Sequence, residues 1–197
     1  MYTNNELNEK CAVYVKNLLP IEFCQFFTHV LLRQSDLSPR SDTQVPTALA
    51  IMDHEVMFET LQERLWPIIE QIVGEELIPT YSYARLYNNG DTLEQHSDRP
   101  ACEVSVTLQL GRSHHYSWPI YMGGHRYDMG EGDAVIYKGC DIEHWRNACD
   151  GPNGYYSGQV FFHYVRKNGI HSAEAGDSTN RDVYSYARNR SMVMESK

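Results

Sequence analysis

No stretch of this 197-residue chain approaches the ~20 consecutive apolar residues that a membrane-spanning helix requires. Nothing in it therefore reads as a membrane partner. Positive charge is also scarce: 17 Lys and Arg stand against 26 Asp and Glu, for a net charge of -9. An acidic surface works against attraction to nucleic-acid phosphates or anionic lipid, so nucleic acid is not expected as a partner. Cysteine is sparse, odd in number and without a Cys-x-x-Cys pair: Cys11, Cys24, Cys102, Cys140 and Cys149. That pattern argues against a disulfide framework and a zinc ribbon, and reduced thiols are expected. The first residues, Met1-Tyr2-Thr3-Asn4-Asn5-Glu6, lack the basic and apolar regions of a secretory signal, so a cytoplasmic location is expected. No internal repeat or low-complexity tract appears.

What is present fits one well-buried domain, with 42% hydrophobic residues over 197 positions. The expected extent is 1–168, with a helical part at 17–75, a β-rich core at about 80–166 and a polar tail at 169–197 that either moves freely or closes as a lid. Cys11 to Lys16 alternates like a short strand. Pro20 then opens a helix whose stripe is Phe23, Phe26, Phe27, Val30 and Leu31, ending near Arg33. The polar stretch 34–46, with Pro39 and Pro46, reads as a loop. Met57, Leu61, Leu65, Ile68 and Ile72 form a second stripe, kinked or divided at Pro67 and stopped near Gly74. Beyond Thr80 short β-branched and aromatic runs alternate with turn residues: Tyr81 to Tyr87, Glu103 to Leu110, Tyr116 to Met122, Ala134 to Tyr137 and Gln159 to Val165. That texture predicts a mainly β fold, a sandwich or barrel with helices covering one sheet.

The chemistry concentrates in His96-Ser97-Asp98 and in His144 of Asp141-Ile142-Glu143-His144-Trp145-Arg146. Two imidazoles and a carboxylate can hold one face of an octahedral ferrous ion, leaving the opposite positions open. On extended chain the period of two turns His96 and Asp98 to the same side. The triplet by itself is weak, since nine histidines and 26 acidic residues make such triplets by chance. His114 and His115 read as exposed loop residues, His29 and His54 as structural or surface, and Trp145 as a packing residue. Ser105, Thr107 and Gln109 alternate on one strand face, which either lines a cavity or meets solvent.

The ordered context is more specific. The run from Tyr81 through Tyr87-Asn88-Asn89-Gly90-Asp91 to His96-Ser97-Asp98, then Cys102 to Leu108, Trp118-Pro119-Ile120-Tyr121, Gly130-Glu131-Gly132-Asp133 into Ala134 to Tyr137, and Gly139 to His144, resembles the core of Fe(II)- and 2-oxoglutarate-dependent dioxygenases of the prolyl-hydroxylase-like group. The resemblance covers roughly 80–166 and implies a double-stranded β-helix, a jelly-roll variant. It also implies that His96, Asp98 and His144 are the iron ligands, with 2-oxoglutarate as cosubstrate and O2 as oxidant. The aspartate favours hydroxylation, because related halogenases carry a small residue there. Tyr87 falls where the family often has a tyrosine touching the cosubstrate; a core aromatic is the competing reading.

One departure matters. The family usually supplies an Arg or Lys about ten residues beyond the second histidine for the far carboxylate of 2-oxoglutarate, and the window 150–165 has neither. Arg146, two residues after His144, is the first substitute, then Arg85 and Arg99, with Arg166 too far along; Gln159 and His163 offer neutral hydrogen bonds. The resemblance thus implies an oxygenase acting on a C–H bond of a small-molecule or amino-acid-like substrate, a peptide also fitting, with release of succinate and CO2. A cupin-like metal enzyme without 2-oxoglutarate, and a noncatalytic jelly-roll binding module, stay open as alternatives.

Overall fold

The computed structural model describes residues 4–37 and 43–175. The expectations for 38–42 and for the tail beyond 175 lie outside the described residues. Within them the chain forms helices α1 (Asn4–Lys10), α2 (Ile21–Leu37) and α3 (Val56–Val73). The strands are β1 (Ala12–Val15), β2 (Ala50–Asp53), β3 (Leu77–Asn88), β4 (Leu93–His96), β5 (Val104–Arg112), β6 (Ile120–Met122), β7 (His125–Tyr127), β8 (Ala134–Tyr137), β9 (His144–Arg146) and β10 (Tyr156–Arg166).

These strands make two antiparallel sheets, a large one ordered β1-β8-β5-β10-β3-β2 and a small one ordered β4-β9-β6-β7. Alternation along β5 shows how the layers arise. Val104, Val106, Leu108 and Leu110 join the core cluster that includes Phe27 and Leu31 of α2 and Phe58 and Leu65 of α3. Ser105, Thr107 and Gln109 take the other face by the period of two, and all three are buried. Their side chains point between the sheets rather than to solvent. A second cluster, with Val135 and Tyr137 of β8 against Ile120 and Met122 of β6, closes one end of that interior. The mainly β fold with flanking helices is as the texture predicted.

The helices differ from the sequence reading in phase and extent. On α2 the buried residues are Cys24, Phe27, Thr28 and Leu31, while Phe23 and Phe26 are 55% and 57% exposed. On α3 the buried stripe is Phe58, Leu61, Gln62, Leu65, Ile69, Ile72 and Val73, with Met57 and Ile68 largely outside. The helix runs unbroken through Pro67 to a left-handed Gly74 (φ 79°) whose N–H returns to the Glu70 carbonyl. The one backbone hydrogen bond that proline removes is outweighed by a face of seven buried side chains. Strand β3 begins at Leu77 rather than near Tyr81. Pro79 is tolerated within it because β2 pairs only with Tyr83 to Leu86, leaving this end of β3 at an edge. No helix among the described residues is long and apolar enough to cross a membrane.

Candidate metal centre

Strand pairing assembles the site. β4 and β9 lie antiparallel with His96 directly opposite His144, and their rings are 4.3 Å apart at the centroids. Asp98 follows just beyond β4, and its backbone N–H donates to the Gly139 carbonyl at 2.9 Å. This brings its Oδ1 to 3.7 Å from His96 Nε2 and 3.5 Å from His144 Nε2. An octahedral ion with bonds of about 2.1 Å spaces adjacent donors about 3 Å apart, so the three side chains would close on it by about half an ångström.

The tautomers suit a cation. His96 Nδ1 lies 2.8 Å from the Glu94 carbonyl and His144 Nδ1 lies 3.3 Å from that of Ile142. A carbonyl accepts only, so each Nδ1 carries the proton and each Nε2 presents a lone pair. Burial lowers the pKa of His144, partly countered by Asp98, and a neutral imidazole is the metal-binding form. Asp98 Oδ2 accepts from Ser105 Oγ at 2.9 Å, which fixes the carboxylate and leaves Oδ1 for the ion. Ser105 in turn contacts His163 Nδ1 at 2.9 Å. A second set of potential ligands, Asp98, Cys102 and His163, shares the same carboxylate. There burial pushes the Cys102 thiol up to about 12, keeping it protonated beside the Tyr81 hydroxyl, so the two-histidine set is the better cage.

Gly139 explains why this corner is tight. A Cβ on it would come within 2.5 Å of Asp98 Oδ2 and would also strike the Cys102 carbonyl. Between β3 and β4, Asp91 is fully buried and accepts from the Asn88 N–H at 2.7 Å, while Gly90 takes φ 90°, the conformation that glycine permits at this turn.

The centre opens on a cavity of about 450 Å³, walled by alternate residues of β3 (Tyr81, Tyr83, Arg85, Tyr87) and by Phe161 and His163 of β10. A register shift against β3 leaves His163 unpaired on that side, a bulge of the kind that re-aims a side chain toward a site. Arg85 lies in the wall. It donates from Nη1 to the Tyr87 hydroxyl at 2.8 Å and from Nη2 to Gln44 Oε1 at 2.9 Å, and the Gln44 amide nitrogen sits 2.9 Å from His96 Nε2.

Arg146, the first substitute by sequence, sits behind that wall. Its guanidinium lies 4.9 Å from the Trp118 ring and 5.9 Å from the Tyr87 ring, with Nη1 donating to the Trp118 carbonyl at 2.5 Å. Its Nε and Nη2 are buried without a partner. Burial lowers its pKa, yet an arginine remains charged, so an uncompensated cation lies next to the interior. Gln159 takes no part in the cavity wall. Its amide is spent on Gln109 and its oxygen on Thr107, both at 3.1 Å. Arg166 pairs with Glu103 and Glu75 away from the site. Trp145 stacks on Tyr121 at 5.4 Å, a packing role. Gln44 escaped the sequence reading: it belongs to a stretch with no periodicity or motif, and only the fold lays it across His96 and Arg85.

No family model matches the chain, and a search of curated proteins finds no match. Solved structures do match. A prolyl-4-hydroxylase from Pseudomonas putida superposes with a TM-score of 0.65 at 14% identity over 83% of this chain and 97% of its own. The non-heme alpha-ketoglutarate-dependent epimerase SnoN of nogalamycin biosynthesis gives 0.67 at 12% identity over 91% and 90%. HygX from Streptomyces hygroscopicus, with nickel and 2-oxoglutarate bound, gives 0.65 at 11% identity over 83% and 86%. The fold is therefore the jelly roll of the Fe(II)- and 2-oxoglutarate-dependent oxygenases.

Proposed function

We propose that this protein is an Fe(II)- and 2-oxoglutarate-dependent oxygenase that hydroxylates a C–H bond of a small-molecule or amino-acid-like substrate. The observation that carries the reading is the convergence of His96, Asp98 and His144 in the lining of the cavity, with both Nε2 atoms and one carboxylate oxygen within 4.8 Å of one another. His96, Asp98 and His144 would hold the metal. Ser105 keeps Asp98 in its liganding orientation, and the Glu94 and Ile142 carbonyls keep the imidazoles in theirs.

For the cosubstrate, the far carboxylate is received by Arg85 in the wall together with the Tyr87 hydroxyl, while Arg146 adds positive potential from behind. This division replaces a single Arg146 anchor, because Arg85 faces the cavity and Arg146 does not. Gln44, bridging Arg85 and His96, must give up at least its contact with His96 Nε2 when a metal takes that lone pair. When bound, iron and 2-oxoglutarate supply the oxidation of a C–H bond by O2, with succinate and CO2 as the other products. The chain's part is to orient the groups and exclude water; Tyr81, Tyr83 and Phe161 supply the apolar wall.

The test is an anaerobic iron titration followed by succinate release on 2-oxoglutarate addition in air. One iron per chain, and succinate formed by the wild type but not by His96→Ala or His144→Ala, is the expected result. Iron uptake without any 2-oxoglutarate consumption would transfer the chain to the cupin-like reading, and no metal affinity at all would leave only a binding module.

A further inference from the structure

Ser105 holds Asp98 with a single proton for which it has several neighbours. Its Oγ lies 2.9 Å from Asp98 Oδ2, 3.1 Å from the Cys102 carbonyl and 2.9 Å from His163 Nδ1. A carboxylate and a carbonyl accept only, so both draw on that proton, and the charged oxygen is the stronger acceptor. The third neighbour decides the balance. His163 is buried and thereby kept neutral, so one of its two ring nitrogens carries a proton and the other a lone pair. A bare Nδ1 would be a further acceptor, pulling the serine proton away from Asp98. A protonated Nδ1 instead donates to a lone pair of Ser105 Oγ and leaves the serine proton for the carboxylate.

The fold holds His163 to this contact from several sides. His163 stands directly opposite Ser105 across β10 and β5, where side chains of a pair approach each other. On its other side the register against β3 shifts at His163, and buried Gln62 of α3 ties that bulge down. The Gln62 amide donates to the His163 carbonyl at 2.8 Å and to the Tyr81 carbonyl at 3.2 Å. The imidazole itself packs on the Tyr81 ring, with centroids 4.4 Å apart. Backbone and ring are both fixed, so the direction of the hydrogen bond is set by the tautomer and not by a movement of the side chain.

Resting on the metal-centre reading above, we propose that His163 is a positioning residue for the metal: as the Nδ1–H tautomer it donates to Ser105 Oγ, which commits the serine proton to Asp98 Oδ2 and leaves Oδ1 for the ion. It acts through Ser105 and not on the ion itself. A polar residue buried in the wall thus extends the support of the aspartate ligand by one further link.

The experiment joins Mn(II) titration of variants to nitrogen NMR of the histidine rings in metal-free wild type. His163→Phe keeps a ring against Tyr81 but has no donor, and should lower Mn(II) affinity roughly 10–100-fold, as should Ser105→Ala. His163→Asn should restore most of the affinity, because the asparagine amide nitrogen stands as many bonds from the backbone as Nδ1 and donates to the same oxygen. The double variant Ser105→Ala with His163→Phe should bind no more weakly than Ser105→Ala alone, the mark of two residues acting in series. In the wild type the His163 proton should be found on Nδ1, an observation that decides the matter even where a variant fails to fold. A proton on Nε2, wild-type affinity in His163→Phe, His163→Asn as weak as His163→Phe, or additive losses in the double variant would each overturn the inference. A wild type that takes up no Mn(II) would overturn the metal-centre reading instead.

Discussion

Arg146→Met separates a functional cation from a structural one, because the two roles predict opposite pairs of results. Arg146 is 1% exposed, with one hydrogen bond to the Trp118 carbonyl and two buried nitrogens lacking partners. In its favour are a charged-donor hydrogen bond, about 1.5–3 kcal/mol, and the face of Trp118, up to about 2 kcal/mol. Against it stands the desolvation of a buried cation, an effective several kcal/mol. These nearly cancel, and methionine fills similar volume, so the ligand-free variant should unfold within about 1 kcal/mol of the wild type. A buried arginine paired with a carboxylate would instead cost about 3–5 kcal/mol to remove. The affinity for 2-oxoglutarate should fall by up to about 2 kcal/mol, a factor of up to about thirty, if the buried charge acts through the wall on the cosubstrate carboxylate. Denaturant unfolding of metal-free protein and titration of 2-oxoglutarate into the Mn(II) form measure both quantities. A stability loss of about 3 kcal/mol with unchanged cosubstrate affinity would refute the reasoning and make Arg146 a packing residue. Arg85→Met, which removes the guanidinium in the wall itself, should weaken 2-oxoglutarate at least as much.

Two further outcomes follow from the metal corner. Gly139→Ala places a methyl group against Asp98 Oδ2 and the Cys102 carbonyl, so metal affinity should drop roughly 10–100-fold, the usual effect of disturbing a ligand's support; wild-type affinity in a metal titration would mean that the corner yields without consequence. Burial depresses His163 to about 4. Below about 6.5 the unfolded chain binds a proton that the fold refuses, so this contribution is complete above that pH and drains away as the pH falls toward 4, at about 1.4 kcal/mol per unit and about 3 kcal/mol in all. Denaturant midpoints of metal-free protein across this range should show the slope, and His163→Gln should flatten it by that amount, leaving what His144 contributes; an equally steep slope in the variant would mean that His163 is already protonated in the fold.

Local pattern carried much of the architecture. The run of short strands after Thr80 was legible because alternation and turn residues are short-range signals, and β8 was read at its observed bounds, Ala134–Tyr137. The phase of the helices was less legible. Phe23 and Phe26 look as apolar as Phe27, and only the docking of α2 on β5 decides that Phe27 goes inward. Pro67 misled for the same reason: a local penalty is visible in the sequence, while the packing that overrides it is not.

The chain's composition and its spaced motifs sufficed for the mainly β class, the pairing of His96 with Asp98, and the recruitment of His144 from 144 - 96 = 48 residues away. Tertiary structure alone decided which cation faces the interior. Arg85 and Gln159 are partners across β3 and β10, yet the former opens on the cavity and the latter is absorbed by Gln109 and Thr107. Arg146, two residues from a candidate ligand, is turned behind Tyr87, and Gln44 arrives from a loop 52 residues before His96. Each of those outcomes depends on strand register and sheet packing, which sum many weak non-local contacts and leave no mark on the residues immediately around the position concerned.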